Sequence, residues 1–365
     1  MHPPYLLPMR NRPTLLLALG LAACTPPKPP APTITLAATP DTVIVPVVEV
    51  TKAAARSDGK WAVLALLEDQ LQLADFAGKS VAPFPGITKT EVPHPISLIG
   101  IGDTIIVGDW GLRRFTEWSP TGQRLAAWPA PDSLQGALPK ARDAAGQWYF
   151  ELWPDPQADG SGLIDSGAVV RADPQLSHFD TLARLAPPEL VKMSGVNGQH
   201  YQRRSMGGDD AWGVLPDGTL WVARVFQNQI EWHHPGVKAV ERSPQLPDLV
   251  LTVSDMDREI YVRRFPEDQR QTAREVPNAP VKPPFEHVFA TPDGRFWLAK
   301  SDTALARLRH FQVVDKTGVL VNVALPTYGF ALGVDGNYIL MGEEFPGGIR
   351  LLRFPVPAET RGVSP

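Results

Sequence analysis

Pro292-Asp293-Gly294-Arg295-Phe296-Trp297-Leu298 is a tight Asp-Gly turn that runs straight into a strand of aromatic and aliphatic residues. Glycine takes positive φ without steric cost, and Asp-Gly beside an apolar run is a strong hairpin signal. The same grammar recurs. Asp58-Gly59 precedes the apolar run 61–66, Gly102-Asp103 precedes 104–107, and Gly146 precedes Trp148-Tyr149-Phe150. Asp217-Gly218 precedes Leu220-Trp221-Val222, and Asp335-Gly336 precedes Tyr338-Ile339-Leu340. Successive turn glycines are 43, 44, 72, 76 and 42 residues apart. Three intervals share one period, and two read as that period with an insertion of about 30 residues, a spacing typical of solenoids and propellers.

A second turn falls inside each period, as at Gly78, Thr121-Gly122 and Thr317-Gly318, so each repeat holds four strands and two hairpins. One small sheet cannot bury both faces. Six of them bury their faces by stacking around an axis, which predicts an all-β, six-bladed β-propeller of four-stranded antiparallel blades over 34–357. Trp61, Trp148, Trp221 and Trp297 hold matching positions after the turns and are expected between blades. The last repeat has three strands before the chain runs out in prolines. The segment 33–37 is expected to supply its outer strand and close the ring, leaving a tail at 358–365.

The two long intervals carry insertions at 187–208 and 244–284. The first reads as a short helix over 189–193 followed by a polar loop containing His200, Arg203 and Arg204. In the second, Ser254 with Asp257 three residues later predicts a capped helix, and Pro266 restarts a helical stretch to Glu275.

The chain has 365 residues, 39 prolines and 30 glycines, a composition suited to short strands and turns rather than a helical fold. Its net charge of −4, without a basic run, gives no reason to expect nucleic acid. Arg10 and Arg12 precede the apolar stretch 15–23, which is far too short to span a bilayer and reads as an export signal. Leu21-Ala22-Ala23-Cys24 resembles the lipobox of bacterial lipoproteins, which implies cleavage of a 1–23 signal peptide and lipidation of Cys24. Without the leader the net charge becomes −6. Cys24 is the one cysteine, so no internal disulfide can form. A proline-rich tether, 24–33, follows. Thr25, where an acidic residue can signal inner-membrane retention, favours the outer membrane facing the periplasm. The Asp-Gly-x-aromatic-Trp turns further resemble those of six-bladed propellers of the NHL and TolB-like type, over most of 34–357. The Trp-Asp dipeptides of WD40 repeats are missing.

In such a ring the ends of the second strands meet at one rim of the central channel. Polar and aromatic residues stand there: Asp109, Trp110, Glu151, Trp153, Arg224, Asp302 and the pair Glu343-Glu344. With His287, at the start of an inner strand, they are the candidate ligand-binding residues for a cation, a sugar or a basic peptide. No catalytic set is assembled. Gly160-Ser161-Gly162 lacks the nucleophile elbow, and there is neither a phosphate-binding loop nor a dinucleotide fingerprint, so no cofactor is expected. Asp155, Asp159 and Asp165 are too irregularly spaced for a calcium loop. His233 and His234, adjacent on a strand, face opposite ways, so no metal is expected there.

Two functions fit. The first is a non-enzymatic, lipid-anchored module of the cell envelope that binds a peptide, glycan or protein partner. The second is a propeller enzyme of the metal-dependent lactonase or sugar-oxidising kind. The lactonase resemblance implies inner Glu, Asn and Asp ligands, and Asn228, Asn322 and Asn337 do not hold matching inner positions.

Overall fold

Alternating apolar and small residues make the strands, and the Asp-Gly turns between them set the register of six four-stranded antiparallel sheets. The computed structural model describes residues 30–153, 166–195 and 198–360. The signal peptide, Cys24, Gly160-Ser161-Gly162 and the aspartates 155, 159 and 165 lie outside them, as does the side chain of His200.

Going round the ring, the inner strands are Lys52–Ala55, Pro95–Ile101, Pro139–Arg142, Ala211–Val214, Phe285–Ala290 and Phe330–Val334, here numbered blades 1 to 6. The protein is a six-bladed β-propeller, as the turn spacing predicts. Each blade pairs its inner strand with the next strand across an Asp-Gly or related turn. At Gly294 φ is +77°, which a residue with a Cβ adopts only under strain.

The core is divided into six apolar clusters among the described residues, each shared by two neighbouring blades. Trp61, for example, packs with Val43, Val45 and Leu351 across the junction of blades 1 and 6. The four matching tryptophans are all buried, at 0 to 5 % exposure. Phe115 of blade 2 meets Trp148 of blade 3 edge to face at 4.8 Å. Such pairs contribute about 0.5–1.5 kcal/mol beyond area burial, so the aromatic contacts fasten blade to blade.

Ring closure uses a different segment from the one expected. Asp41–Val45, not 33–37, pairs antiparallel with Gly348–Pro355 and completes blade 6, with Asp41 opposite Arg353 and Val45 opposite Ile349. Val43 and Val45 alternate inward at 4 and 0 % exposure and fill the junction with blade 1, whereas Thr33–Thr35 offers one half-buried side chain, Ile34. That earlier strand instead lies parallel on the outer strand of blade 5, Thr33 opposite Asn322.

The first insertion is also corrected. Leu190–Gly195 and Gly198–Arg203 form a two-stranded antiparallel hairpin rather than a helix. Its single turn of candidate helix had no cap, while two glycines opposite each other at the tip allow a tight reversal. The second insertion behaves as predicted. Ser254 caps α1 (Asp255–Arg263), its hydroxyl accepting from Asp257 N–H while the Asp257 carboxylate accepts from Ser254 N–H. α2 spans Arg270–Glu275. No helix among the described residues is long and apolar enough to cross a membrane.

Candidate functional site

The inner strands begin at the same end of the ring where the second strands finish, and three of them are bulged there. The register shifts between Pro95 and Ser97, between Pro139 and Ala141, and between Phe285 and His287. Each bulge adds one residue, Ile96, Lys140 or Glu286, and each of these is exposed. A bulge re-aims the side chain it carries, and here Lys140 and Glu286 each line a hollow.

The rim residues are mostly held by neighbours. Asp109 is 1 % exposed and accepts from His94 N–H at 2.8 Å and Leu112 N–H at 2.6 Å, closing its own turn. Trp110 beside it is 58 % exposed. One oxygen of Glu151 takes both Lys140 Nζ, at 2.5 Å, and Trp212 Nε1, at 2.6 Å, bridging blades 3 and 4. Trp153 lies under the Arg203 guanidinium at 5.5 Å. Arg224 is clasped between Asp210, at 2.8 Å, and Glu231, at 2.6 Å. Asp302 holds His310 Nδ1 at 2.6 Å. Glu343 accepts from the Thr327 hydroxyl at 2.6 Å, with Arg350 at 3.6 Å.

The nine candidates do not converge on one point. His287 and Glu343 line one hollow of about 560 Å³. Glu151 and Trp153 line a smaller one of about 180 Å³ with Lys140 and Asp210. Asp109, Trp110, Arg224 and Asp302 line neither, nor the largest.

The largest of these three hollows, about 970 Å³, lies over the junction of blades 6 and 1. It adjoins the 560 Å³ hollow, and both are walled by Arg263, Arg264, His287, Phe330 and Glu344. The joint cleft runs under the C-terminal end of α1, which supplies the two arginines. Val47, Leu67, Phe330, Phe345 and Ile349 give it an apolar wall, and Glu49, Glu68 and Glu344 stand among them. Burial, then the charges of Glu68 and Glu344, push the Glu49 carboxyl above the ordinary glutamate range. The protein packed around His287, an otherwise exposed residue, holds its imidazole below the usual value, outweighing the pull of Glu286. Lys52, at the start of the inner strand of blade 1, is lowered by burial and by Lys140 two blades away.

Other described histidines stand beside carboxylates, although His233 Nε2 makes no hydrogen bond. His94 Nδ1 lies 3.3 Å from Asp69, His233 Nε2 3.6 Å from Glu231, and His234 Nε2 2.9 Å from Glu241. Among the described residues no three His, Cys, Asp or Glu side chains converge closely enough to hold a metal ion.

Sequence reasoning passed over Arg263, Arg264, Glu49, Glu68, Phe330 and Phe345. The arginines sit in an insertion whose place over the mouth no local pattern encodes. Glu49 and Glu68 lie on connections between strands, outside the strands themselves.

No protein-family model matches the chain, and no curated protein matches it. Solved structures do. A protein of Bacteroides fragilis described as exported aligns over 90 % of this chain and 99 % of its own, at 10 % identity and a TM-score of 0.50. A gluconolactonase of Xanthomonas campestris aligns over 87 % and 89 %, at 14 % identity and TM-score 0.48. Virginiamycin B lyase from Staphylococcus aureus aligns over 86 % and 99 %, at 8 % identity and TM-score 0.45. At these identities the likeness is one of fold, and function has to be argued from the site.

Proposed function

We propose that this propeller is a non-enzymatic binding module of the cell envelope that takes a segment of peptide in the cleft at its channel mouth. One observation carries the reading: two hollows of about 970 and 560 Å³ lie side by side beneath α1 and share five wall residues. Each is the size of a small-molecule site, and side by side they leave room for several residues of extended chain. Ten aliphatic or aromatic residues line the larger hollow, an apolar wall suited to the side chains of a peptide. His287 and Glu343 belong to this site, and Trp110 and Trp153 offer exposed aromatic faces beside the mouth. Attachment through a lipid on Cys24 would keep the module at the membrane.

Titration of the purified protein with fluorescent peptide and oligosaccharide pools tests this. Peptide binding should weaken at least about tenfold in Phe330→Ala and in Arg264→Ala, on the scale of losing one buried contact each. Binding that neither change affects would place the ligand elsewhere.

A further inference from the structure

Granted that the cleft takes peptide, we propose that its blade 6–blade 1 wall is a pocket for a basic side chain, a lysine or arginine flanked by apolar residues. Glu49, Glu68 and Glu344 enter the 970 Å³ hollow, and none has a cation within ion-pairing distance among the described residues. This sets them apart from the neighbouring carboxylates, for Glu286 pairs with Arg309, and Glu343 is held by Thr327 and Arg350. Glu68 gives one oxygen to Val48 N–H at 2.5 Å. Its other oxygen, Oε2, is shut off from solvent with no hydrogen-bond partner among the described residues. A carboxylate oxygen in that state costs free energy until a donor reaches it.

The spacing selects the ligand. Three carboxylates around one point would suit a metal ion, but these are too far apart to ligate one, while close enough to repel each other. A guanidinium or ammonium at the end of a flexible stem spreads its donors over several ångströms. Its methylene stem needs apolar surface, which Val47, Leu67 and Ile349 provide in the same hollow. On the far side Arg264 has no carboxylate partner among the described residues, so it is placed to meet an acidic group or a carbonyl of the same chain.

The test is fluorescence anisotropy on the full chain with a labelled peptide carrying one arginine between leucines. Its counterpart has citrulline, the same shape without charge. The arginine peptide should bind about tenfold or more tightly than the citrulline one. Glu344→Gln, at an exposed position, and Glu49→Gln should each erase most of that difference while leaving citrulline binding unchanged. Unfolding midpoints of both variants confirm the fold. Equal binding of the two peptides, with Phe330→Ala weakening both, overturns the basic pocket and leaves the peptide cleft standing. No binding of either peptide overturns both. Stoichiometric calcium uptake lost in Glu49→Gln replaces the side-chain pocket with a metal site.

Discussion

Lys282 sets its ammonium 2.5 Å from Asp257 Oδ1 and 2.5 Å from the Asp302 carbonyl. One side chain thus ties the capped start of α1 to the top of blade 5, and so fixes the roof of the cleft. Both partners of the pair are about nine-tenths buried, with 12 and 8 % exposure. Removing one partner strands the other: Lys282→Met should destabilise the insertion by about 3 kcal/mol or more. Amide exchange should then accelerate across 255–275 while the blades keep their protection, and Asp257→Asn in the same chain should recover part of the loss.

Acid should loosen the same roof. Burial pushes the Asp257 carboxyl up, but Lys282 and the Ser254 hydrogen bonds outweigh it and hold the group below its ordinary range. A lowered folded pKa contributes stability above the unfolded value, near ~3.9, that is lost as pH falls through the folded one. Exchange rates in α1 should therefore rise below about pH 4, and Asp257→Asn should flatten that dependence.

Arg224 makes a comparable claim on blade 4. It is enclosed by Asp210 and Glu231, whose side chains are 1 and 9 % exposed. Arg224→Met should cost about 3–5 kcal/mol in urea unfolding, since two buried carboxylates lose a shared cation. Arg242 still faces Glu231 at 2.9 Å, so Asp210 is the more exposed to that loss.

Two turn glycines separate strain from collision. A Cβ on Gly59, at φ +78°, meets nothing within 4 Å, whereas one on Gly86, at φ +73°, would lie 1.9 Å from the Gly122 carbonyl oxygen. Gly59→Ala should cost about 1–2 kcal/mol for the left-handed conformation alone. Gly86→Ala must also push two backbones apart, and its thermal midpoint should fall markedly further.

Export and anchoring have their own test. Cys24→Ser should abolish lipid attachment and shift the protein from the membrane fraction to the soluble one, read by mass spectrometry of both. An unprocessed leader in the membrane fraction would count against the lipobox reading.

The blades were legible because their signal is local and repeated. Asp293-Gly294 and its relatives each specify a turn within a few residues, and the tryptophans behind them can pack only between sheets. α1 was legible for the same reason, since Ser254 and Asp257 satisfy each other inside one turn. The closing strand was not: 33–37 and 41–45 are both short and β-prone, and only the ring decides which of them has Val43 and Val45 to press against Trp61. The cleft was harder still. It gathers Glu49 and Glu68 from two connections, Phe330 from an inner strand and Arg264 from an insertion, and no spacing along the chain links them. Bulges at Ile96, Lys140 and Glu286 arise from pairing between strands, which neither strand announces alone.

The parallel strand Thr33–Thr35 has a mechanical meaning. It is joined to the outer strand of blade 5 by three residue pairs, while the closing strand Asp41–Val45 is held by five and by the Asp41–Arg353 ion pair at 2.7 Å. Tension entering through the residues before Thr33 reaches the shorter pairing first. A pull on the N-terminal side should therefore peel that strand away while the ring stays shut.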